Sequence, residues 1–491
     1  MLETRYLYTS QPNEQAQALY LKNLGGISAH ASVNEKLDYA VAFTLSIFLD
    51  LIKSELPRTL LRSEKFVYSA FHLFRRYKFT EQILAKMGII PMACLLELLT
   101  GDMPIGGRQR VLPILASSIG YYIAEKISDD FGEFPHIVEL FSNVALDLLD
   151  ESIDLDKARA YINRREDVEL YDCELKKLIR EMPLWIKGVF YFYAKDERTV
   201  FRSAFNRTLL KLNINALYQA YSAVRAPQDD QFSYIRDFTI QGLKSRYLGS
   251  RETIQKPYEQ KNIYEAVSLR TQTILTNYTF GSMLLAICIS DSTVVPNVQL
   301  HWELIKTTIE LATTEIGLVN DVGSLLDLDE ASLVMLLRNV PREVQHKQVF
   351  ANIDRLKEYG IDIYAFARLI KDAQNHEPNI ALDTGIHQKS IPMQWQQFIS
   401  NLSVLGDISR GNRKRIMDNI NKMYVLGVNY KVINLIVLFL EFNRGLYSHP
   451  ESQGDYDRLF NPQNLLPLIH RIDAHTWKMF RIARDEPDSP S

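Results

Sequence analysis

The run Trp302-Glu-Leu-Ile-Lys-Thr-Thr-Ile-Glu-Leu-Ala-Thr-Thr-Glu-Ile-Gly-Leu318, continuing as Val319-Asn320-Asp321-Val322-Gly323-Ser324-Leu325-Leu326-Asp327-Leu328-Asp329-Glu330, decides how the rest of the chain is read. From Leu300 to Leu318 nothing interrupts a helical period, and the apolar face is wide. Such a face belongs to a helix buried in a multi-layer bundle. The same period puts Asn320, Ser324 and Asp327 at i, i+4 and i+7, one face of a helix that continues through them. An amide oxygen, a hydroxyl and a carboxylate stacked there form an all-oxygen site. That set suits a hard divalent cation such as Mg²⁺, which keeps waters and binds phosphate oxygens. The same residues also read as a helix C-terminus at Val322-Gly323 followed by a polar surface turn. Spacing does not choose between the two.

Wide apolar helical faces recur over residues 39–50, 112–127, 137–149, 209–224, 271–289 and 432–442, and no hairpin turn is flanked by alternating β-branched runs. The fold class is therefore all-α. Breaks fall at 101–107, 225–230, 290–296, 376–378 and 448–455, none of them a long Pro/Gly/Ser linker. The expected organisation is an N-terminal helical segment (1–80), one helical core (80–460), and a C-terminal helix with a frayed tail (461–491).

Among 491 residues, 23% are charged and 46% hydrophobic, the balance of an ordinary globule, and the net charge of −3 gives no reason to expect a nucleic-acid partner. Three scattered cysteines, Cys94, Cys173 and Cys288, argue against a disulfide framework and a zinc site. No apolar run approaches the roughly 20 residues of a membrane span, and the first residues carry no signal-like segment. A cytoplasmic protein is expected.

A second oxygen cluster would have to face the first. Asp147, Asp150 and Asp154 stand at i, i+3 and i+7, with Glu151 among them, at the end of an apolar helix. Three carboxylates on one buried face repel one another unless a cation neutralises them. Asp129-Asp130 is the other candidate, and reads equally as a polar turn because Gly132 and Pro135 break it.

Asn320-Asp321-x-x-Ser324, preceded by Gly-Leu-Val, resembles the second metal motif of class I terpene synthases and, more loosely, the second Asp-rich motif of trans-isoprenyl diphosphate synthases. The position of that pattern's Glu holds Leu328, with Asp327 one residue earlier. Gly106-Gly107-Arg108-Gln109-Arg110 is similar to the Gly-Gly-Lys-Arg-x-Arg segment of the prenyl synthases and precedes Asp147 as that segment precedes the first Asp-rich motif, although Leu146 stands where the motif's leading Asp is expected. Tyr264-Glu-Ala-Val-Ser-Leu-Arg270-Thr-Gln-Thr273 resembles the terpene-synthase helix whose Arg senses the diphosphate, here 50 positions before Asn320. A guanidinium grips phosphate oxygens bidentately; the bland reading is an exposed helical arginine.

The resemblance implies an isoprenoid synthase-type bundle around a central cavity and three Mg²⁺ ions with the substrate diphosphate. Asp147, Asp150, Glu151, Asn320, Asp321, Ser324 and Asp327 would hold metal. Arg270 would be catalytic, binding diphosphate with Arg108, Arg110 and Arg458. Phe141, Tyr191, Tyr278, Phe280, Trp302 and Trp395 are candidates to line the cavity. The partner would be a small-molecule prenyl diphosphate, and a homodimer is compatible with the sequence. The basic cluster Arg410 to Arg415 reads as a solvated helix start. The activity expected is that of a terpene synthase. A prenyltransferase adding isopentenyl diphosphate is the first alternative, and a non-catalytic helical scaffold the second.

Overall fold

The computed structural model describes residues 135–163, 198–363, 365–374 and 376–448, with Ile114, Ser117, Ser118 and Tyr121 besides. Arg108, Arg110, Asp129, Asp130, Tyr191 and Arg458, and the segments 1–80 and 461–491, lie outside them. Of the described residues 80% are helical and none is in a strand, so the fold is all-α as its periodicity predicts. The chain forms two compact units, residues 1–240 with 285–292, and residues 241–284 with 293–491.

In the first unit α1 (Pro135–Leu149) and α2 (Leu155–Asn163) both pack against α3 (Arg198–Arg225). Leu140, Val144 and Leu148 recur at i, i+4 and i+8 on α1 and are buried, as are Leu210, Ile214, Leu217 and Val224 on α3. Helix α4 (Ser233–Gln255) begins in this unit and ends in the second. Cys288, in the part of this unit contributed by 285–292, is fully buried, and burial pushes its thiol up to about 12, which suits a core thiol.

The second unit is organised on one helix. In chain order it holds α5 (Ile263–Thr273), the first part of α6 (Thr276–Ser290), α7 (Val295–Leu300), α8 (Trp302–Val322), α9 (Glu330–Leu336), α10 (His346–Ala351) and α11 (Ile353–Glu358). Then come α12 (Ala367–Gln374), α13 (Ile380–Asp383), α14 (Ile391–Val425) and α15 (Tyr430–Ser448). Helix α8 packs against α5, α14 and α15 together. Its first half buries the stripe Ile305, Thr308, Ile309 and Ala312, while from Glu315 to Val322 nearly every position is covered. A helix enclosed on all sides at one end must satisfy its last carbonyls with protein groups rather than water, and that requirement shapes the site described below.

Helix α5 starts with a capping box: the Asn262 side chain accepts from the amides of Tyr264 and Glu265, and Glu265 reaches back to the Asn262 amide. Its last turn carries Arg270 towards α8, and the Thr271 hydroxyl donates to Thr314 at 3.1 Å. Of the candidate cavity aromatics, Tyr278, Phe280, Phe141 and Trp395 are core residues. Trp395 packs with His346, Phe350 and Phe398, and its Nε1 donates to the Val344 carbonyl at 2.6 Å. Arg410 to Arg415 lie within the long helix α14, not at its start.

Among the described residues no single helix is long and apolar enough to cross a membrane. Helices α5 and α6 pass that test only as a pair, bent by 41° between them.

Candidate functional site

The motif around Asn320 sits where α8 ends. The helix stops at Val322, Gly323 takes φ +65° and ψ −138°, and residues Gly323–Asp327 form a 3₁₀ turn. An L-residue pays heavily for that backbone and glycine does not. Of the two readings of the spacing, the helix terminus is therefore the one observed. Asn320 and Ser324 lie on opposite sides of the break, so the three oxygens do not stack on one continuous face.

What surrounds the motif is a set of guanidiniums. Arg270 reaches from α5 and its Nη2 lies 2.7 Å from Asp321 Oδ1, with the Asp321 side chain almost wholly buried. Arg270 is thus no exposed helical arginine. Arg368, on α12, grips Asn320 twice: Nε donates to its backbone carbonyl and Nη2 to Oδ1, the latter at 2.8 Å. Arg413, on α14, pairs with Asp327 Oδ1 at 2.7 Å and lies 3.5 Å from Glu315. Glu315 also accepts the Ser409 hydroxyl at 2.6 Å.

A second layer holds the first. The Asn379 side-chain amide donates to the Asp321 carbonyl at 2.8 Å and to Asp372 Oδ2 at 2.7 Å. Its own Oδ1 caps α13 through the amides of Ala381 and Leu382. Asp372 stands 3.9 Å from Arg368, and Asp383 pairs with Lys347 at 2.7 Å. The orphan carbonyls of Asn320 and Asp321 are thus capped by side chains arriving from 48 and 58 positions later in the chain. Burial pushes the Asp321 carboxyl above its ordinary value, and Arg270 and Arg368 pull it back only in part. Burial lowers the proton affinity of Arg270, which Asp321 and Tyr258 more than restore, so the guanidinium stays charged.

Asp372 behaves more strongly in the same sense: burial pushes its carboxyl up to about 6 against the attraction of Arg368 and Lys371. In the unfolded chain an Asp titrates near 3.9, so the folded form binds more protons between those values. This contribution to stability is complete below the unfolded value and is lost as pH rises through the folded one. Asp372→Asn keeps an oxygen for Asn379 but cannot ionise. On going from about pH 7 to about pH 5 the unfolding midpoint of the natural protein should therefore gain on that of the variant. Parallel curves over that range would show that Asp372 titrates normally.

The upstream acids belong to the first unit. Asp147 lies in the last turn of α1, which ends at Leu149, and Asp150 follows that end; both are exposed. Glu151 has φ +59°, accepts the Tyr221 hydroxyl at 2.9 Å and pairs with Arg225. Asp154 caps α2, accepting the Lys157 amide at 2.7 Å. The expectation of three carboxylates on one buried helix face is corrected accordingly: the helix ends between them and water screens their repulsion.

Whether Mg²⁺ suits the second-unit motif can be judged from its donors. All are hard oxygens, and Asp321 Oδ2 is buried with no hydrogen-bond partner, so the donor chemistry fits. The Oδ1 atoms of Asn320, Asp321 and Asp327 are each taken by an arginine, so a cation would enter by exchange. Among the described residues no group of three or more His, Cys, Asp or Glu is arranged to hold a metal ion.

Reading from sequence missed Arg368, Asp372, Asn379 and His346. The i, i+4 pair Arg368/Asp372 was a visible signal, and Asn379 followed by an apolar run was a readable N-cap. Nothing in the sequence joined them to Asn320. Fully buried His346 donates from Nε2 to the Leu382 carbonyl, 2.6 Å away, and burial lowers its pKa. No family model, no curated protein and no solved structure matches the chain.

Proposed function

We propose that the chain is a Mg²⁺-dependent class I terpene synthase that ionises a linear prenyl diphosphate. One observation carries this reading: Arg270, picked out in the sequence 50 positions before Asn320, touches the Asn320-Asp321 motif itself. Two segments that the resemblance assigns to one pattern, far apart in sequence, touch through this ion pair, which supports the reading.

Asn320, Asp321, Ser324 and Asp327 would hold the cation. Asp147, Asp150 and Glu151 belong to the other compact unit and enter this reading as metal ligands through the resemblance alone. Bound at the motif, Mg²⁺ would neutralise the departing pyrophosphate. The chain's own part is to orient and to exchange partners. Arg270, held on Asp321 at 2.7 Å, presents a fixed positive charge whose Nε is buried without a hydrogen-bond partner. A diphosphate oxygen would supply that partner and draw the guanidinium off Asp321. Arg368 Nε, on the backbone carbonyl of Asn320, keeps that residue in place while this happens. Arg108, Arg110 and Arg458 are further diphosphate contacts in this reading. The substrate is a small molecule met in the cytoplasm, and no nucleic acid takes part.

A specific observation favours a second reading, a non-catalytic helical scaffold. Arginines already neutralise the motif's oxygens, as they would in a purely structural clasp. The third reading, chain elongation with isopentenyl diphosphate, rests on the Gly-Gly-Arg segment alone.

The experiment is to incubate the protein with Mg²⁺ and, separately, geranyl, farnesyl and geranylgeranyl diphosphate, each with and without isopentenyl diphosphate. Pyrophosphate and a hydrocarbon or alcohol made without isopentenyl diphosphate are expected. Asn320→Ala and Asp150→Ala should each abolish this turnover while leaving the far-ultraviolet circular dichroism unchanged. A longer diphosphate made only with isopentenyl diphosphate would establish the elongator instead. No pyrophosphate from any mixture would favour the scaffold.

A further inference from the structure

The turn between α14 and α15 departs from what its fold requires. Two hydrogen bonds close it: the Val428 amide donates to the Met423 carbonyl at 2.9 Å and the Gly427 amide to the Tyr424 carbonyl at 3.1 Å, with Gly427 at φ +69°. This is a Schellman closure, and its usual apolar contact is supplied by Met423 and Val428, both buried. Asn297 clamps the corner from α7, donating to the Gly427 carbonyl at 2.9 Å and accepting the Asn429 amide at 2.7 Å. Polar residues would serve equally well at the positions left over. Instead Tyr424, Val425 and Leu426 are consecutive, apolar and exposed, Val425 by 86%. Leu300, one helical turn beyond Asn297, is exposed by 76%. A rigid corner that holds such a run in water is functional or a liability.

The charge beside it narrows the partner. Between Ile408 and Val425 five basic residues, Arg410, Arg413, Lys414, Arg415 and Lys422, face the single acid Asp418, in a chain whose net charge is −3. Arg410 and Arg413 are engaged with Asp407 and with Asp327 and Glu315. Lys414, Arg415 and Lys422 are exposed on the helix that leads to the corner.

We propose that the α14–α15 corner is a docking site for an anionic lipid surface. Val425, Leu426 and Leu300 enter the headgroup boundary, Tyr424 rests at that boundary, and the basic side chains of α14 meet lipid phosphates. No helix crosses the bilayer in this arrangement. The proposal does not rest on the catalytic reading.

The test is cosedimentation of the full chain with vesicles of phosphatidylcholine alone, and of phosphatidylcholine with phosphatidylglycerol in equal parts. Binding to the mixed vesicles is expected, weakened by salt, and at least about tenfold stronger than to phosphatidylcholine. Val425→Asp with Leu426→Asp should lower it by at least about tenfold with an unchanged unfolding midpoint, because both residues are exposed. Lys414→Glu with Lys422→Glu should remove the preference for anionic lipid. Absence of binding to either vesicle would overturn the proposal, as would equal binding by the Asp variant. So would a vesicle-free dimer that the Asp variant breaks, since the corner would then cover a second copy.

Discussion

Arg270→Ala is expected to cost about 3–5 kcal/mol of stability, the scale for removing one partner of a buried ion pair. The carboxylate left behind is the reason. Asp321 is 3% exposed and its Oδ1 loses the guanidinium 2.7 Å away. Arg368 lies close enough to attract it but is already committed to Asn320. Asp321 would have to take a proton or open the end of α8 to water. Pairing Arg270→Met with Asp321→Asn should recover most of the loss, since the charge to be compensated is then gone. Chemical denaturation of the single and double variants measures this directly. A loss below about 1 kcal/mol for Arg270→Ala would mean that the pair is solvated as a surface bridge is. Arg270→Lys separates the two roles: it keeps the charge and folds, but it cannot grip a diphosphate with two parallel donors. Turnover should fall with this variant while the unfolding midpoint stays close to that of the natural protein.

What the sequence disclosed and what it withheld differ in physical kind. Helix identity was legible because α8 carries its apolar stripe over many turns, and α5 announces its start through Asn262 and Glu265. The pairing of Arg270 with the Asn320-Asp321 motif was legible only through the resemblance of the two segments to terpene-synthase motifs, since no local rule links residues on two helices. The end of α8 was visible as an alternative, because Gly323 follows Val322. What periodicity could not supply was the choice between a stop and a continuation, which tertiary contacts with Arg368 and Asn379 decide. The acids after Leu146 show the same limit. Their i, i+3, i+7 spacing presumes one helix, yet Glu151 at φ +59° and the Asp154 cap divide them between two.

Arg368 is where stability and the proposed chemistry are hardest to separate, and its substitutions carry the second large effect. Arg368→Ala removes both donors to Asn320, leaves Asp372 without the guanidinium 3.9 Å away, and leaves the Asn320 carbonyl without the donor from Nε. A loss of about 3–5 kcal/mol is expected, again from uncompensated buried charge. Arg368→Lys restores the charge at the negative end of the helix but offers a point donor in place of a fork. Its loss should therefore be smaller, about 1–2 kcal/mol, the scale of one hydrogen bond to a charged group. The two variants also bear on function in opposite ways. If the arginines only lock the bundle, turnover should follow stability, and Arg368→Lys should work nearly as well as the natural protein below its unfolding midpoint. If Arg368 sets the position of the Asn320 amide oxygen for Mg²⁺, Arg368→Lys should raise the Mg²⁺ concentration needed for half-maximal turnover while barely changing the fold. Equal Mg²⁺ dependence in the two proteins would assign Arg368 to the clasp alone.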